Sequence, residues 1–236
     1  MRYSATPLEL SAAIFDFDGT LIDSGPGILK TVRATAAELG LPSPSEEMLR
    51  KFIGPPLIYS FTRTFGMSHA EAEKASRIYR RILAETDAYK DAYFYPGILD
   101  VVRGLRTAAV PVAIASAKRT PMIEKTLEYF GVSDLFDAVC GAPAGDEIAD
   151  KPGNTRRAIE EVGATAEASL LIGDSDYDAD AAHKVGVPFC AVLWGYGFAT
   201  RSDAEAYDPD YIAATVPDFA ALVLPPELRD QGFTEN

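Results

Sequence analysis

The stretch AIFDFDGTLIDSG, residues 13–25, starts with three apolar residues and then places Asp16 and Asp18 two apart, with Gly19 and Thr20 directly behind them. A short, continuous apolar run of this kind suits a strand buried on both faces of a parallel sheet. Carboxylates at the end of such a strand cost free energy unless something binds them. Their spacing of two points both side chains to the same side of an extended chain end.

Similar runs recur along the chain: AAIF at 12–15, VAIA at 112–115, AVC at 138–140, LLI at 170–172 and FCAVL at 189–193. Helical patterns lie between them. Thr120 and Pro121 read as N-cap and first helical residue, Ile123, Leu127 and Phe130 keep helical spacing, and Gly131 is a C-terminal stop. Ile159 and Val162 run into Gly163 in the same way, and Ala182 and Val185 into Gly186. Alternating strand and helix predicts an α/β fold with a doubly wound, Rossmann-like parallel sheet.

One segment breaks the rhythm. From about residue 24 to residue 92 the pattern is helical, with an apolar stripe at Ile28, Leu29, Val32, Ala36 and Leu39. SPSE at 43–46 and SHAE at 68–71 have the form of capping boxes, the second opening a long helix that ends near Tyr89. Residues 23–92 are therefore expected to form a helical cap inserted into a catalytic core of 1–22 and 93–236. Past Leu193 the chain is turn-rich, with a last short helix at about 217–223 and a frayed final ten residues.

An apolar fraction of 47% over 236 residues supplies a substantial core. Thirty-five acidic against twenty-two basic residues give a net charge of −13, which disfavours nucleic acid and anionic membrane as partners and favours small solutes. Cys140 and Cys190 lie in apolar runs and read as buried small hydrophobes. With neither a signal-peptide pattern nor a long apolar span, the expected location is cytoplasmic, as a monomer or homodimer.

In an open parallel sheet, ligands bind at the carboxyl ends of the strands. Asp16 and Asp18 follow the first run, Ser116, Ala117 and Lys118 the second, and Gly173 and Asp174 the fourth, with Asp178 four residues on. Carboxylates gathered at one rim repel one another unless a cation shares them, and a hard divalent ion, Mg2+, answers that cost. Lys151, in the loop GAPAGDEIADKPGNT after the third run, can hold a nucleophile ionised and bind a phosphate oxygen. The set fits phosphoryl transfer through a nucleophilic carboxylate.

DxDGT, then Ser, then Lys-Pro, then GDxxxD, each at or near a strand end, resemble the four motifs of the haloacid-dehalogenase-like (HAD) hydrolase superfamily. The insert behind the first motif resembles its C1-type cap, and LIDSGPGI (21–28), FIGPPL (52–57), YPG (95–97) and GDSDYDADAAHKVGVP (173–188) look most like phosphoglycolate-phosphatase-like members. The resemblance implies a phosphatase acting on a small phosphorylated metabolite. It makes Asp16 nucleophile and metal ligand, and Asp18 the general acid/base, with its backbone carbonyl on the metal. Ser116 would bind the phosphoryl group and Lys151 would neutralise it and orient Asp16. Asp174 would ligate Mg2+, and Asp178 would hold the metal's waters or Lys151. Gly19, Thr20 and Ala117 would lie against the phosphate. Lys118, Arg50, Lys51 and Gly54 fall where relatives contact the rest of the substrate. Trp194 and Tyr196 fall in a loop beside the site, and His69 and His183 read as structural.

Other activities of the superfamily stay open: 5'-nucleotidase, pyrophosphatase, a β-phosphoglucomutase-like phosphotransferase, or a catalytically silent binding module. Asp18 counts against a dehalogenase. A phosphonoacetaldehyde hydrolase would need a Schiff-base lysine in the cap, where Lys30 and Lys51 stand in unmatched surroundings.

Overall fold

The computed structural model describes residues 6–144 and 150–229. Strand β1 (Ala12–Phe15) leads into a short β2 (Ile22–Asp23). Four helices follow, α1 (Gly25–Glu38), α2 (Glu46–Arg50), α3 (Leu57–Phe65) and α4 (His69–Glu85), before the return strand β3 (Tyr93–Phe94). Helix and strand then alternate through α5 (Ile98–Thr107), β4 (Val112–Arg119), α6 (Thr120–Phe130), β5 (Ala138–Ala142) and α7 (Lys151–Glu161). The alternation continues with β6 (Ser169–Gly173), α8 (Asp176–Val185) and β7 (Phe189–Val192). Beyond these come α9 (Arg201–Glu205), β8 (Tyr211–Ala213), α10 (Val216–Val223) and α11 (Pro226–Arg229).

Six strands form one parallel sheet in the order β5-β4-β1-β6-β7-β8. The strand order reverses at β1: β4 and β5 extend to one side, β6, β7 and β8 to the other. Such a switch point leaves a crevice beyond the carboxyl end of the central strand, which here is where Asp16 follows Phe15. Successive β1 residues serve opposite faces. Ala13 and Phe15 enter the core formed with α5 and α10, and Ala12 and Ile14 the core formed with α7 and α8. Helices thus cover both faces, which is why the run carries no polar alternation.

The helices between β2 and β3 have a hydrophobic cluster of their own, with Ile28, Val32, Leu49, Phe52, Phe61 and Tyr79 among its buried members. Met122 and Tyr196 from the sheet side pack against its edge. Both crossings into this helical group run side by side, because β2 and β3 pair antiparallel, Ile22 opposite Phe94 and Asp23 opposite Tyr93. Ser68 caps α4 in a full capping box with Glu71.

Several boundaries differ from the sequence expectation. Arg119, not Thr120, is the N-cap of α6, because the Thr120 hydroxyl accepts from Gly141 N–H at 2.9 Å across to β5. Ser45 rather than Ser43 caps α2, a start that puts Glu46 and Glu47 in the first turn, where the helix dipole favours them. Helix α4 stops at Glu85, and Asp87, at φ 50°, turns the chain before Tyr89. Strand β4 continues past its apolar run to Arg119, with an irregular register between Ala115 and Arg119. Ser116 and Lys118 therefore lie within the strand's distorted end. Lys151 opens α7 rather than lying in a loop; residues 145–149 of that expected loop are outside the described residues, as is most of the expected frayed end. The helix expected at about 217–223, α10, begins at Val216 and is not the last, because α11 follows at Pro226–Arg229 and reaches into the end expected to be frayed; α9, β8, α11 and the β2–β3 ribbon were not foreseen. Cys140 and Cys190 are free and buried.

Candidate active site

Asp16 extends β1 by one more ladder bond, its N–H donating to the Ile172 carbonyl at 2.8 Å. The chain then folds on itself: Ile22 N–H reaches Phe17 O at 3.1 Å, and Gly19 N–H reaches Ile22 O at 2.9 Å. Gly19 sits at φ 91°, and a Cβ there would stand 2.5 Å from Asp174 Oδ2, so only glycine fits. Thr20 Oγ1 donates to Asp174 Oδ1 at 3.3 Å. The loop after β7 closes over the same carboxylate: Tyr196 and Gly197 N–H groups donate to Asp174 Oδ2 at 2.8 and 3.0 Å, and Trp194 Nε1 donates to Thr20 O at 3.0 Å.

Lys151 occupies the first turn of α7, where the dipole disfavours a cation. Carboxylates offset that cost. Its buried ammonium donates to Asp16 Oδ1 and forms an ion pair with Asp178 Oδ1 at 2.6 Å. Asp178 opens α8, and its Oδ2 accepts from Ser175 N–H and Oγ–H at 3.1 and 2.7 Å. Its buried Oδ1 has only the Lys151 ion pair, with no hydrogen bond of good geometry.

Asp16, Asp174 and Asp178 are all buried, and each offers an oxygen within 4.8 Å of the others. Burial pushes the Asp16 carboxyl up to about 7; Asp178 and Asp174 add to the rise and Lys151 opposes it. Burial likewise pushes Asp174 up to about 6, reinforced by Asp178 and opposed by the Tyr196 and Gly197 N–H groups. Burial works against the Lys151 ammonium, yet Asp16 and Asp178 hold its pKa above the ordinary lysine value. Three carboxylates against one ammonium leave two negative charges in excess when all are ionised. An all-oxygen donor set with that surplus and an under-bonded oxygen fits a hard divalent cation.

The structure brings Asp16, Asp174, Asp178 and Lys151 together. The Asp18 carboxylate is not in this cluster; Oδ1 accepts from Ser24 Oγ at 2.5 Å and from Lys118 Nζ at 2.8 Å. Of Asp18, that leaves the backbone carbonyl as the expected metal donor. Ser116 is buried; its Oγ accepts from Lys118 N–H at 3.3 Å and its carbonyl from Asn154 Nδ2 at 2.8 Å. Asp18, Ala117, Lys118 and Gly54 line a cleft between the helical group and the sheet. Arg50 is exposed and absent from the described lining, and Lys51 is an exposed partner of Glu47. Lys30 pairs with Asp91, and Lys125 lies over the Tyr89 ring, both exposed.

Sequence reasoning missed Ser24, Asn154, Tyr59, Tyr79 and Tyr177; the contacts of Asn154 with Ser116 and of Tyr59 with Tyr177 join residues distant in sequence, and the Ser24 bond to Asp18 follows no helix or strand period. His69, expected to be structural, lines the cleft, 3.4 Å from Glu73.

A family model described as haloacid dehalogenase-like hydrolase matches residues 13–192. The chain is similar to a 5'-nucleotidase of Pseudomonas aeruginosa, 32% identical over 209 residues that cover 89% of this chain and 92% of the relative. It is similar to the tyrosine-protein kinase PtkA of Mycobacterium tuberculosis, 30% identical over 216 residues, covering 91% and 73%. A phosphoglycolate phosphatase of Yersinia pestis is 26% identical over 230 residues, covering 92% and 94%. Among solved structures, a haloacid dehalogenase-like hydrolase of Streptococcus pneumoniae superposes with a TM-score of 0.78 at 31% identity, covering 88% of this chain and 95% of that one.

Proposed function

The chain belongs to the haloacid dehalogenase-like hydrolase family, and we propose that this phosphatase is Mg2+-dependent and hydrolyses a small phosphorylated metabolite through a phosphoryl-Asp16 intermediate. The observation that carries the reading is the buried cluster of Asp16, Asp174 and Asp178 around Lys151.

Asp16, Asp174, Asp178 and the Asp18 carbonyl would hold the ion. When bound, Mg2+ supplies charge neutralisation for the cluster and the phosphoryl oxygens. Lys151 favours the ionised form of Asp16 against burial and fixes the direction of its carboxylate. An Asp16 oxygen attacks phosphorus, the ester P–O bond breaks, and the Asp18 carboxyl gives its proton to the leaving oxygen. Asp18, now a carboxylate, takes a proton from water as that water attacks phosphorus, and the departing phosphate restores Asp16. Ser24 Oγ and Lys118 Nζ hold Asp18 in place for both proton transfers. Ser116 Oγ, which accepts from Lys118 N–H, keeps its own proton to donate to a phosphoryl oxygen. The helices between β2 and β3 act as the cap that covers the substrate.

The 5'-nucleotidase and phosphoglycolate phosphatase relatives carry different leaving groups, so this reading stops at the ester bond. Two free, buried cysteines suit a reducing compartment, and we place the enzyme in the cytoplasm. No helix among the described residues is long and apolar enough to cross a membrane. Phosphate release from p-nitrophenyl phosphate, measured with Mg2+ and with excess chelator, tests the reading. Release that requires the metal supports it; release that is indifferent to chelation overturns it.

A further inference from the structure

We infer that the substrate's leaving group is planar and aromatic, of about nucleoside size, and that Tyr59 and Tyr177 select it. The inference rests on the phosphatase reading above and extends it from the ester bond to what lies beyond it.

The cleft that begins at Asp18 and Lys118 has a volume of about 750 Å3. At roughly 30 Å3 per molecule of liquid water, it has room for about 25 waters. The two-carbon acid of a phosphoglycolate would occupy a small corner of it. The second phosphate of pyrophosphate would lie against walls that offer little to an anion, because most of the lining is apolar: Phe52, Pro55, Leu57 and Tyr79 from the helical group, and Ala117 and Met122 from the sheet side. Sites that take small anions surround them with dedicated donors, and the cations here are partly occupied elsewhere. Lys118 is bonded to Asp18, and the Arg119 Nε donates to the Pro143 carbonyl at 3.1 Å.

Two rings meet across the cleft. Tyr59 of α3 approaches Tyr177 of α8 edge to face, with centroids 5.7 Å apart and planes at 77°. Tyr59 is 45% exposed, on the face of α3 away from the buried Phe61. The Arg63 guanidinium lies 5.7 Å over the Tyr59 ring. Tyr177 directly precedes Asp178, so its position is set by the same helix start that positions a carboxylate of the cluster. A third ring stacked on this pair would sit in the cleft with its phosphate directed towards Asp18. Asp18 is the single carboxylate among the described lining residues, with Lys118 bonded to it, so one end of the cleft is polar while most of the remaining lining is apolar or aromatic. A ring with a phosphate ester matches both features.

The shared chemistry is an aromatic ring joined to a phosphate ester, and either a nucleoside 5'-monophosphate or free phosphotyrosine supplies it. Values of kcat/KM are to be measured for both, and for 2-phosphoglycolate, acetyl phosphate and pyrophosphate, in the wild type and in Tyr59→Ala, Tyr59→Phe and Tyr177→Ala. The expected result is a preference of at least about tenfold for an aromatic ester over the small ones. That ratio should fall about tenfold, or about 1.4 kcal/mol, in both alanine variants and persist in Tyr59→Phe, with KM carrying the change. A nucleotide preference over phosphotyrosine would identify the nucleoside source. Turnover confined to the small esters, or a ratio untouched by both alanine variants, overturns this inference and leaves the phosphatase reading standing. Failure to hydrolyse any ester overturns both.

Discussion

Magnesium should protect this protein against heat at pH 8 and do almost nothing at pH 5, and the difference follows from Asp16 and Asp174. Folding raises their carboxyls from the ordinary 3.8 to about 7 and about 6. Between pH 3.8 and those values the folded state holds protons that the unfolded state has lost, so the metal-free protein loses stability as pH rises through the window. Both carboxyls contribute to that loss in the same direction, Asp16 over the wider pH range. On the proposed reading Mg2+ would bind the ionised cluster and would have to displace both protons at pH 5. Two pH steps below the Asp16 value and one below that of Asp174 weaken binding roughly 1000-fold. A Mg2+ concentration at 100 times Kd at pH 8 stabilises by about 2.7 kcal/mol, which for a chain of this size raises Tm by about 5–10 °C. The same concentration at pH 5 is a tenth of Kd and shifts Tm by less than about 1 °C. Differential scanning calorimetry at matched ionic strength reads both numbers. Asp174→Asn should raise the metal-free Tm at pH 8 and abolish most of the Mg2+ response. Equal Mg2+ shifts at the two pH values, or an undiminished shift in Asp174→Asn, would refute the reasoning.

Lys151→Met leaves three buried carboxylates without their ammonium; kcat should fall at least about 1000-fold, and chemical denaturation at pH 8 should show a loss of about 3–5 kcal/mol that shrinks at pH 5 as Asp16 takes up a proton. Gly195→Ala would drive its Cβ into the Gly19 carbonyl and Asp174 Oδ2, so calorimetry should show the Mg2+ response lost; a retained response would mean the loop after β7 does not support Asp174. Tyr196→Phe keeps the backbone N–H on Asp174 and removes only the 2.5 Å bond from the phenol to Asp23 Oδ1. It should cost about 1–3 kcal/mol in urea unfolding, and unchanged stability would deny that this bond ties the β2 strand to the loop.

The strands of the sheet centre were legible because each is a continuous apolar run buried on both faces; β1 and β6 are the clearest cases. Helix ends at Gly131, Gly163 and Gly186 were legible because a left-handed residue follows each helix. Strand β8 was not: its three residues at the sheet edge, two half-buried and Ala213 buried, are too few to carry a period. The β2–β3 ribbon escaped notice for the same reason, since each strand is two residues long. At the site, Asp16, Asp174, Asp178 and Lys151 could be picked out because they stand at strand and helix ends, where the fold class directs attention. The partners of Asp18 could not. Ser24 is offset by six residues and Lys118 by one hundred, and whether Lys118 reaches the carboxylate depends on how β4 distorts after Ala115. The Tyr59–Tyr177 contact joins two separately packed parts of the chain, a relation that no local pattern encodes.

The central claim is that Asp16 becomes phosphorylated during turnover. Rapid acid quench of the enzyme with a hydrolysed ester, followed by mass spectrometry of the peptide containing residues 13–25, measures this directly. The account predicts a hydroxylamine-labile phosphoryl group on Asp16, formed at the rate of the first turnover and missing in Asp16→Asn. Steady turnover with no phosphoryl group on that peptide, or a label that persists in Asp16→Asn, would contradict it.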